Sequence, residues 1–259
     1  MKHRVREGVK LCFDETGSGS PPVVLVHGWT CNRSYFAPQR DHLAKRHRVV
    51  SVDLRGHGES DKPKQPYPIP EFADDLAWLC RELRVEKPVV IGHSMGGMIA
   101  LEVAARHPDL PGAIVACDSP IVMPAELVAN LTGLTQQMRG PDWRAARLGF
   151  ISDALFIAAD DSERKKRIIA DMTSAPDHVA LGCWEGLIAA DTAAAASKCK
   201  VPFLYIAADA WIADAARLRQ LCPHVVLAQT AGAGHFHQLE VPDQVNAMID
   251  RFFQVSGVA

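Results

Sequence analysis

Between the apolar run Val89-Val90-Ile91 and the helical stretch from Met98 to Ala105, the chain reads Gly92-His93-Ser94-Met95-Gly96-Gly97, and no other segment restricts its fold as tightly. A strand that turns straight into a helix forces its turning residue into a strained backbone conformation, which only small neighbours two residues to either side leave room for. A serine at that turn holds its hydroxyl at a helix N-terminus, where free backbone N–H groups favour developing negative charge. The segment therefore predicts a buried strand, a helix directly after it and a presented nucleophile, Ser94.

Further landmarks follow in a consistent order. Val23-Val24-Leu25-Val26 reads as a buried strand running into the glycine turn His27-Gly28-Trp29. The strand Val49 to Val52 leads into Asp53-Leu54-Arg55-Gly56-His57-Gly58-Glu59-Ser60, and Gly232-Ala233-Gly234-His235-Phe236 forms a loop ahead of the last helix. Together these motifs resemble the α/β-hydrolase family over nearly the whole chain, most of all its small esterases, lactonases, carbon–carbon bond hydrolases and cofactor-free perhydrolases. The resemblance implies an α/β-hydrolase fold: a mostly parallel sheet with helices on both faces and a helical cap inserted after strand 6.

The patterning agrees with that organisation. Strand-like runs cover Lys10 to Asp14, Val23 to Val26, Val49 to Val52, Val89 to Ile91, Ala113 to Cys117, Phe203 to Ala207 and Val225 to Gln229, alternating with helical ones. In the last helix Val245, Met248, Ile249, Phe252 and Phe253 repeat at three and four residues as one apolar stripe. From about Ser119 to Lys200 strand patterning gives way to amphipathic helices, with Leu127, Leu131, Leu134 and Met138 as one stripe and Asp177 as a candidate cap for the helix holding Trp184. Residues 120–198 are therefore expected to form the cap, and 1–119 with 199–259 the core. Hydrophobic residues make up 48% of the 259, ample for a sheet covered on both faces.

Serine hydrolysis needs a hydroxyl, a base, a carboxylate to orient the base and donors for an oxyanion. Ser94 supplies the hydroxyl, and His235 is the candidate base, because it sits in the family's last loop. His237 is expected at the pocket rim or surface. The resemblance places the oxyanion donors at the backbone N–H groups of Trp29 and Met95. His27 and His93 flank these turns without carboxylate or histidine at ligand spacing, so they are read as packing residues and no metal is assigned. Asp53, Arg55 and Gly58 are read as fixing their own loop.

The acid is where the chain departs from the commoner family pattern. Many members carry aspartate nine residues beyond the proline that opens the next strand, but nine residues past Pro202 stands Trp211. Asp118, 24 residues after Ser94 at the end of Ala113 to Cys117, matches the subset with a relocated acid and is preferred, while Asp209 and Asp214 remain alternatives. Trp143, Phe150, Phe156 and Trp184, with Trp29 and Trp211, are candidate pocket walls, although cap packing explains the same aromatics.

A net charge of −2 offers no basic field for a nucleic acid. The run Arg164-Lys165-Lys166-Arg167 sits beside Asp160, Asp161 and Glu163 and reads as a solvated helix face. Seven scattered cysteines lack Cys-x-x-Cys or zinc-ligand spacing, and no apolar stretch reaches membrane length, so a reduced, cytoplasmic setting without a membrane partner is expected. The partner is a small-molecule substrate, no cofactor is implied, and homo-oligomerisation is left open. The expected function is a serine hydrolase cleaving a small apolar or aromatic ester or lactone through an acyl-Ser94 intermediate. Ser94 at the elbow argues against the family's dehalogenase and epoxide hydrolase chemistry, which uses a carboxylate there. Alternatives are carbon–carbon bond hydrolysis, a cofactor-free dioxygenase using only a His235–Asp dyad, and a non-catalytic ligand receptor.

Overall fold

Four runs of the sheet, Val23–Val26, Val49–Val52, Ala113–Cys117 and Phe203–Ala207, are buried along their whole length in the computed structural model, which describes residues 1–258. Strands buried on both faces are what a parallel sheet covered by helices requires. The strands are β1 (Lys2–Arg6), β2 (Val9–Thr16), β3 (Val23–Val26), β4 (Val49–Val52), β5 (Val89–His93), β6 (Ala113–Cys117), β7 (Phe203–Ala207) and β8 (Val225–Gln229). They form one sheet in the order β1-β2-β4-β3-β5-β6-β7-β8, antiparallel at the β1/β2 and β2/β4 pairs and parallel elsewhere.

The helices are α1 (Ala37–Leu43), α2 (Ile69–Glu82), α3 (Met95–Arg106), α4 (Ala125–Arg139), α5 (Trp143–Ala154), α6 (Ser162–Ser174), α7 (Asp177–Ile188), α8 (Thr192–Lys198), α9 (Ala215–Leu221), α10 (His237–Glu240) and α11 (Pro242–Ser256). Because strand side chains alternate between faces, Val24, Val50, Val90, Ile114 and Tyr205 join a core with α2 and α3. Their neighbours Val23, Val49, Ile91, Val115 and Ile206 join a second core with α1 and the Val245, Ile249, Phe252, Phe253 stripe of α11.

Some elements differ from expectation. The edge strand β1, Lys-His-Arg-Val-Arg, carries no apolar alternation because its residues face solvent, and its charges keep a free sheet edge from pairing with other chains. Asp177 does not cap α7: Pro176 occupies the N-cap, and the Asp177 carboxylate pairs with Arg144 instead. Within the insert between β6 and β7, α4, α5, α6 and α7 pack on one another, whereas α8 packs on α3 and α9. Thr192–Lys198 thus packs in the helix layer of the sheet, although it falls within the 120–198 segment expected to form the cap. No single helix among the described residues is long and apolar enough to cross a membrane.

Candidate active site

Ser94 joins β5 to α3 with φ 53° and ψ −121°, the strained turn that the glycine pattern predicts. The two flanking glycines have distinct reasons. A Cβ on Gly92 would stand 2.0 Å from the Gly96 carbonyl oxygen, and one on Gly96 would stand 2.1 Å from that of Val26 in the adjacent strand. The Ser94 N–H donates to the Cys117 carbonyl (2.9 Å), tying the turn to β6. Gly28 packs against the serine from the turn after β3, where a side chain would come within 3.1 Å of the Ser94 Cβ.

The His235 Nδ1–H donates to Asp118 Oδ2 at 2.7 Å, and Asp118 Oδ1 accepts the Ala208 N–H at 3.1 Å. Asp118 ends β6 with φ 42°, held there by its own N–H bonded to Ile206 of β7. Neither of the other two aspartates bonds to His235, although Asp209 borders the same cavity. Asp209 is exposed, and Asp214 caps α9 by accepting the Arg217 N–H. Both N–H groups expected to face an oxyanion, those of Trp29 and Met95, are buried and have no acceptor among the described residues. Buried donors are rarely left unpaired, and a pair of them beside a serine is the arrangement that stabilises developing oxyanion charge.

A cavity of about 1030 Å³, open mouth included, receives Ser94, His235, Asp118 and Trp29 together. Phe150 and Trp184 line it and pack with Trp29, at ring separations of 4.9 to 6.2 Å. Phe156 lines it as well, against Phe236. Trp143 and Trp211 do not. Trp143 lies two helical turns from Phe150, about 10 Å along α5, and its ring is covered by Arg144. Trp211 stacks on Tyr205 with its indole N–H on Gln229, while its neighbours Ala210 and Ile212 face the cavity.

His27, His57, His93 and His237, around the site, are buried. His27 donates to the Gly28 carbonyl and accepts the Leu54 N–H, and His57 donates to the Arg55 carbonyl and accepts the Thr30 N–H. His237 is fully buried against Thr230, not at the rim or surface, because α10 begins there and turns its ring inward. Asp53 accepts the N–H groups of Arg33 and Glu59, and Arg55 is paired with Asp75, so this motif fixes its own loop. Burial lowers the pKa to about 4 for His27 and His237 and to about 3 for His57, and pushes that of His93 well below its ordinary value. Unfolded histidine titrates near pH 6.5. Above that pH neither state is protonated and these groups contribute nothing; below it the unfolded chain takes up protons that the folded one refuses. Each such group costs up to about 1.4 kcal/mol of stability per pH unit between about pH 6.5 and 4. Thermal melts are expected to hold a plateau above pH 7 and to fall steeply on acidification through that window; a melting temperature constant down to pH 4 contradicts this.

One residue escaped the sequence reading. Asp160, taken with Asp161 and Glu163 for part of a solvated face, accepts the Gly234 N–H at Oδ1 (2.8 Å) and the Ile157 N–H at Oδ2 (2.9 Å). The Leu155 carbonyl accepts the His235 N–H (3.1 Å), and from the other side His93 Nε2–H donates to the His235 carbonyl (2.8 Å). The His235 loop is thus clamped between the cap and the elbow. Because misplacing a reacting group by about 1 Å costs up to about a hundredfold, Asp160→Ala is expected to lower kcat at least about tenfold with a smaller change in KM. Asp160→Asn, which keeps one acceptor, should lose less. An unchanged kcat in Asp160→Ala would mean the clamp does not position the imidazole.

The sequence model of the family described as "alpha/beta hydrolase fold" matches residues 21–242. A 2-(acetamidomethylene)succinate hydrolase from Mesorhizobium japonicum is 41% identical over 110 residues, 42% of this chain and 39% of that protein, so the chain spans about two fifths of the length of that relative. Among solved structures, a thermophilic esterase from Thermogutta terrifontis superposes with a TM-score of 0.83 at 26% identity, covering 98% of this chain and 97% of that one. An enol-lactonase from Burkholderia xenovorans does so with a TM-score of 0.83 at 25% identity, covering 98% and 100%.

Proposed function

The chain belongs to the α/β-hydrolase family, and on that premise we propose that it is a serine hydrolase cleaving a small, neutral, largely apolar carboxylic ester or lactone. The observation that carries this reading is the opening of Ser94, the His235–Asp118 pair and the Trp29 side of the two free N–H groups onto one cavity. In the reaction, His235 Nε2 takes the Ser94 proton as Oγ bonds to the substrate carbonyl carbon, and Asp118 steadies the imidazolium that forms. The carbonyl oxygen, now anionic, accepts hydrogen bonds from the Trp29 and Met95 N–H groups. Collapse of this adduct breaks the ester C–O bond, and His235 returns its proton to the leaving alkoxide. Water, deprotonated by the same imidazole, then attacks the acyl-Ser94 carbonyl; the bond to Oγ breaks, His235 returns the proton to Oγ, and the acid leaves.

The wall composition supports the substrate class. Leu127, Leu131, Phe150, Trp184 and Leu187 face the cavity, its charged side chains are the carboxylates Asp118 and Asp209, and no lysine or arginine lines it among the described residues. An acyl group bearing its own carboxylate would be desolvated there without a cation to meet it. Across a panel of nitrophenyl esters and lactones, kcat/KM is expected to rise with apolar chain length and to drop at least about tenfold when a terminal methyl is replaced by carboxylate, about 1.4 kcal/mol. Preference for the anionic acyl group would overturn the assignment. The odd number and scattered spacing of the seven cysteines support a reducing, cytoplasmic setting.

A further inference from the structure

At the end of the sheet opposite Ser94, two thiols and an imidazole converge from two segments. Cys199 follows α8, Cys222 follows α9, and His224 directly precedes β8. Cys222 and His224 are two residues apart in the sequence, but Cys199 is remote from them, and the parallel crossover from β7 to β8 brings both entry loops to the same edge. One ligating atom from each of the three lies within 4.8 Å of the others.

The hydrogen bond of the imidazole sets the tautomer a ligand needs. His224 Nε2–H donates to the Val201 carbonyl (2.9 Å), which leaves Nδ1 as the free lone pair, and Cys222 Sγ lies against the ring, 3.8 Å from Nδ1 and 3.5 Å from Nε2. A metal-bound histidine ordinarily gives its other ring N–H to such a carbonyl. Tetrahedral zinc, with bonds of about 2.3 Å to sulfur and 2.0–2.1 Å to nitrogen, sets sulfur and nitrogen ligands about 3.6 Å apart and two sulfurs about 3.8 Å apart. The cluster reaches that geometry by contracting about an ångström, with a turn of the exposed His224 ring that brings Nδ1 onto the ion.

We propose that Cys199, Cys222 and His224 form a binding site for a thiophilic divalent cation of the zinc type, with the fourth coordination position open to solvent. Each thiol gives its proton to solvent as its sulfur bonds to the cation, and two thiolates balance the two positive charges, so the site is neutral overall. Neutrality matters because both cysteines are buried, and an uncompensated charge there would be costly. His224 is exposed, which gives the ion a route in. The bound ion would staple the chain entering β7 to the chain entering the edge strand β8, about 20 Å along β7 from Asp118, and takes no part in the chemistry proposed for Ser94.

The test is a Co²⁺ titration of the reduced full chain under anaerobic conditions, followed by absorption. One equivalent is expected to produce a thiolate-to-cobalt charge-transfer band in the near ultraviolet that Zn²⁺ abolishes, and Zn²⁺ is expected to raise the melting temperature. His224→Ala, at an exposed position that should leave folding intact, is expected to weaken Co²⁺ binding at least about tenfold. Cys222→Ser should remove about half of the band, and both variants should keep the ester hydrolysis of the parent. Absence of the band at one equivalent, or a band and affinity unchanged in His224→Ala, would overturn the proposal whether or not the protein hydrolyses esters.

Discussion

Ser94→Ala is expected to lower kcat for ester hydrolysis by about a millionfold, the scale on which serine hydrolases lose activity when the nucleophile is removed. The physical reason is that in the proposed mechanism no other group forms the acyl intermediate, Ser94 being the hydroxyl that opens onto the cavity beside His235 and Trp29. Folding should survive. Alanine keeps the Cβ that serine already places at φ 53°, so the turn is no more strained than before, and melting temperatures of the two proteins should agree closely. Substrate affinity should hold as well, because the cavity walls are untouched. The same variant separates the competing chemistry. An enzyme that used only the His235–Asp118 dyad to remove a substrate proton, as a cofactor-free dioxygenase does, would lose far less, since its reacting base would remain.

Asp118→Asn is expected to cost about ten-thousandfold in kcat, with Asp209→Asn close to the parent. The carboxylate has two oxygens in use, one on the Ala208 N–H and one on the His235 Nδ1–H. An asparagine must turn its single oxygen toward Ala208, since its amide would otherwise face another donor. Its NH₂ then faces Nδ1 of His235 and selects the tautomer whose proton sits on Nε2, the nitrogen that has to accept the Ser94 proton. The loss therefore comes from the wrong tautomer more than from lost packing. It should appear in kcat with little change in stability beyond about 1 kcal/mol. Equal losses in Asp118→Asn and Asp209→Asn would remove Asp118 from its assigned role.

What the sequence made legible, and what it hid, has a common physical origin. Val23–Val26 and Ala113–Cys117 are readable because burial on both faces demands unbroken apolar runs, and the elbow is readable because Gly92 and Gly96 have no room for a Cβ. These are constraints on composition at fixed positions. The acid was only partly readable: Asp118, Asp209 and Asp214 all follow strands β6 or β7, and choosing between them requires knowing which carboxylate points at His235 across the sheet. Trp143 and Trp211 misled for a related reason. A tryptophan serves a cavity wall, a covered surface or a stack on Tyr205 equally well, and only tertiary placement decides. Asp160 was invisible because its partners are backbone N–H groups, which every residue but proline carries and which leave no trace in side-chain identity.

Direct trapping of the intermediate tests the central claim most closely. Rapid acid quench of turnover with a nitrophenyl ester, followed by intact-mass and peptide analysis, should find the acyl group on the peptide carrying Ser94, and should find none in Ser94→Ala. Turnover that proceeds without any acyl adduct, or an adduct on a residue other than Ser94, would contradict the account.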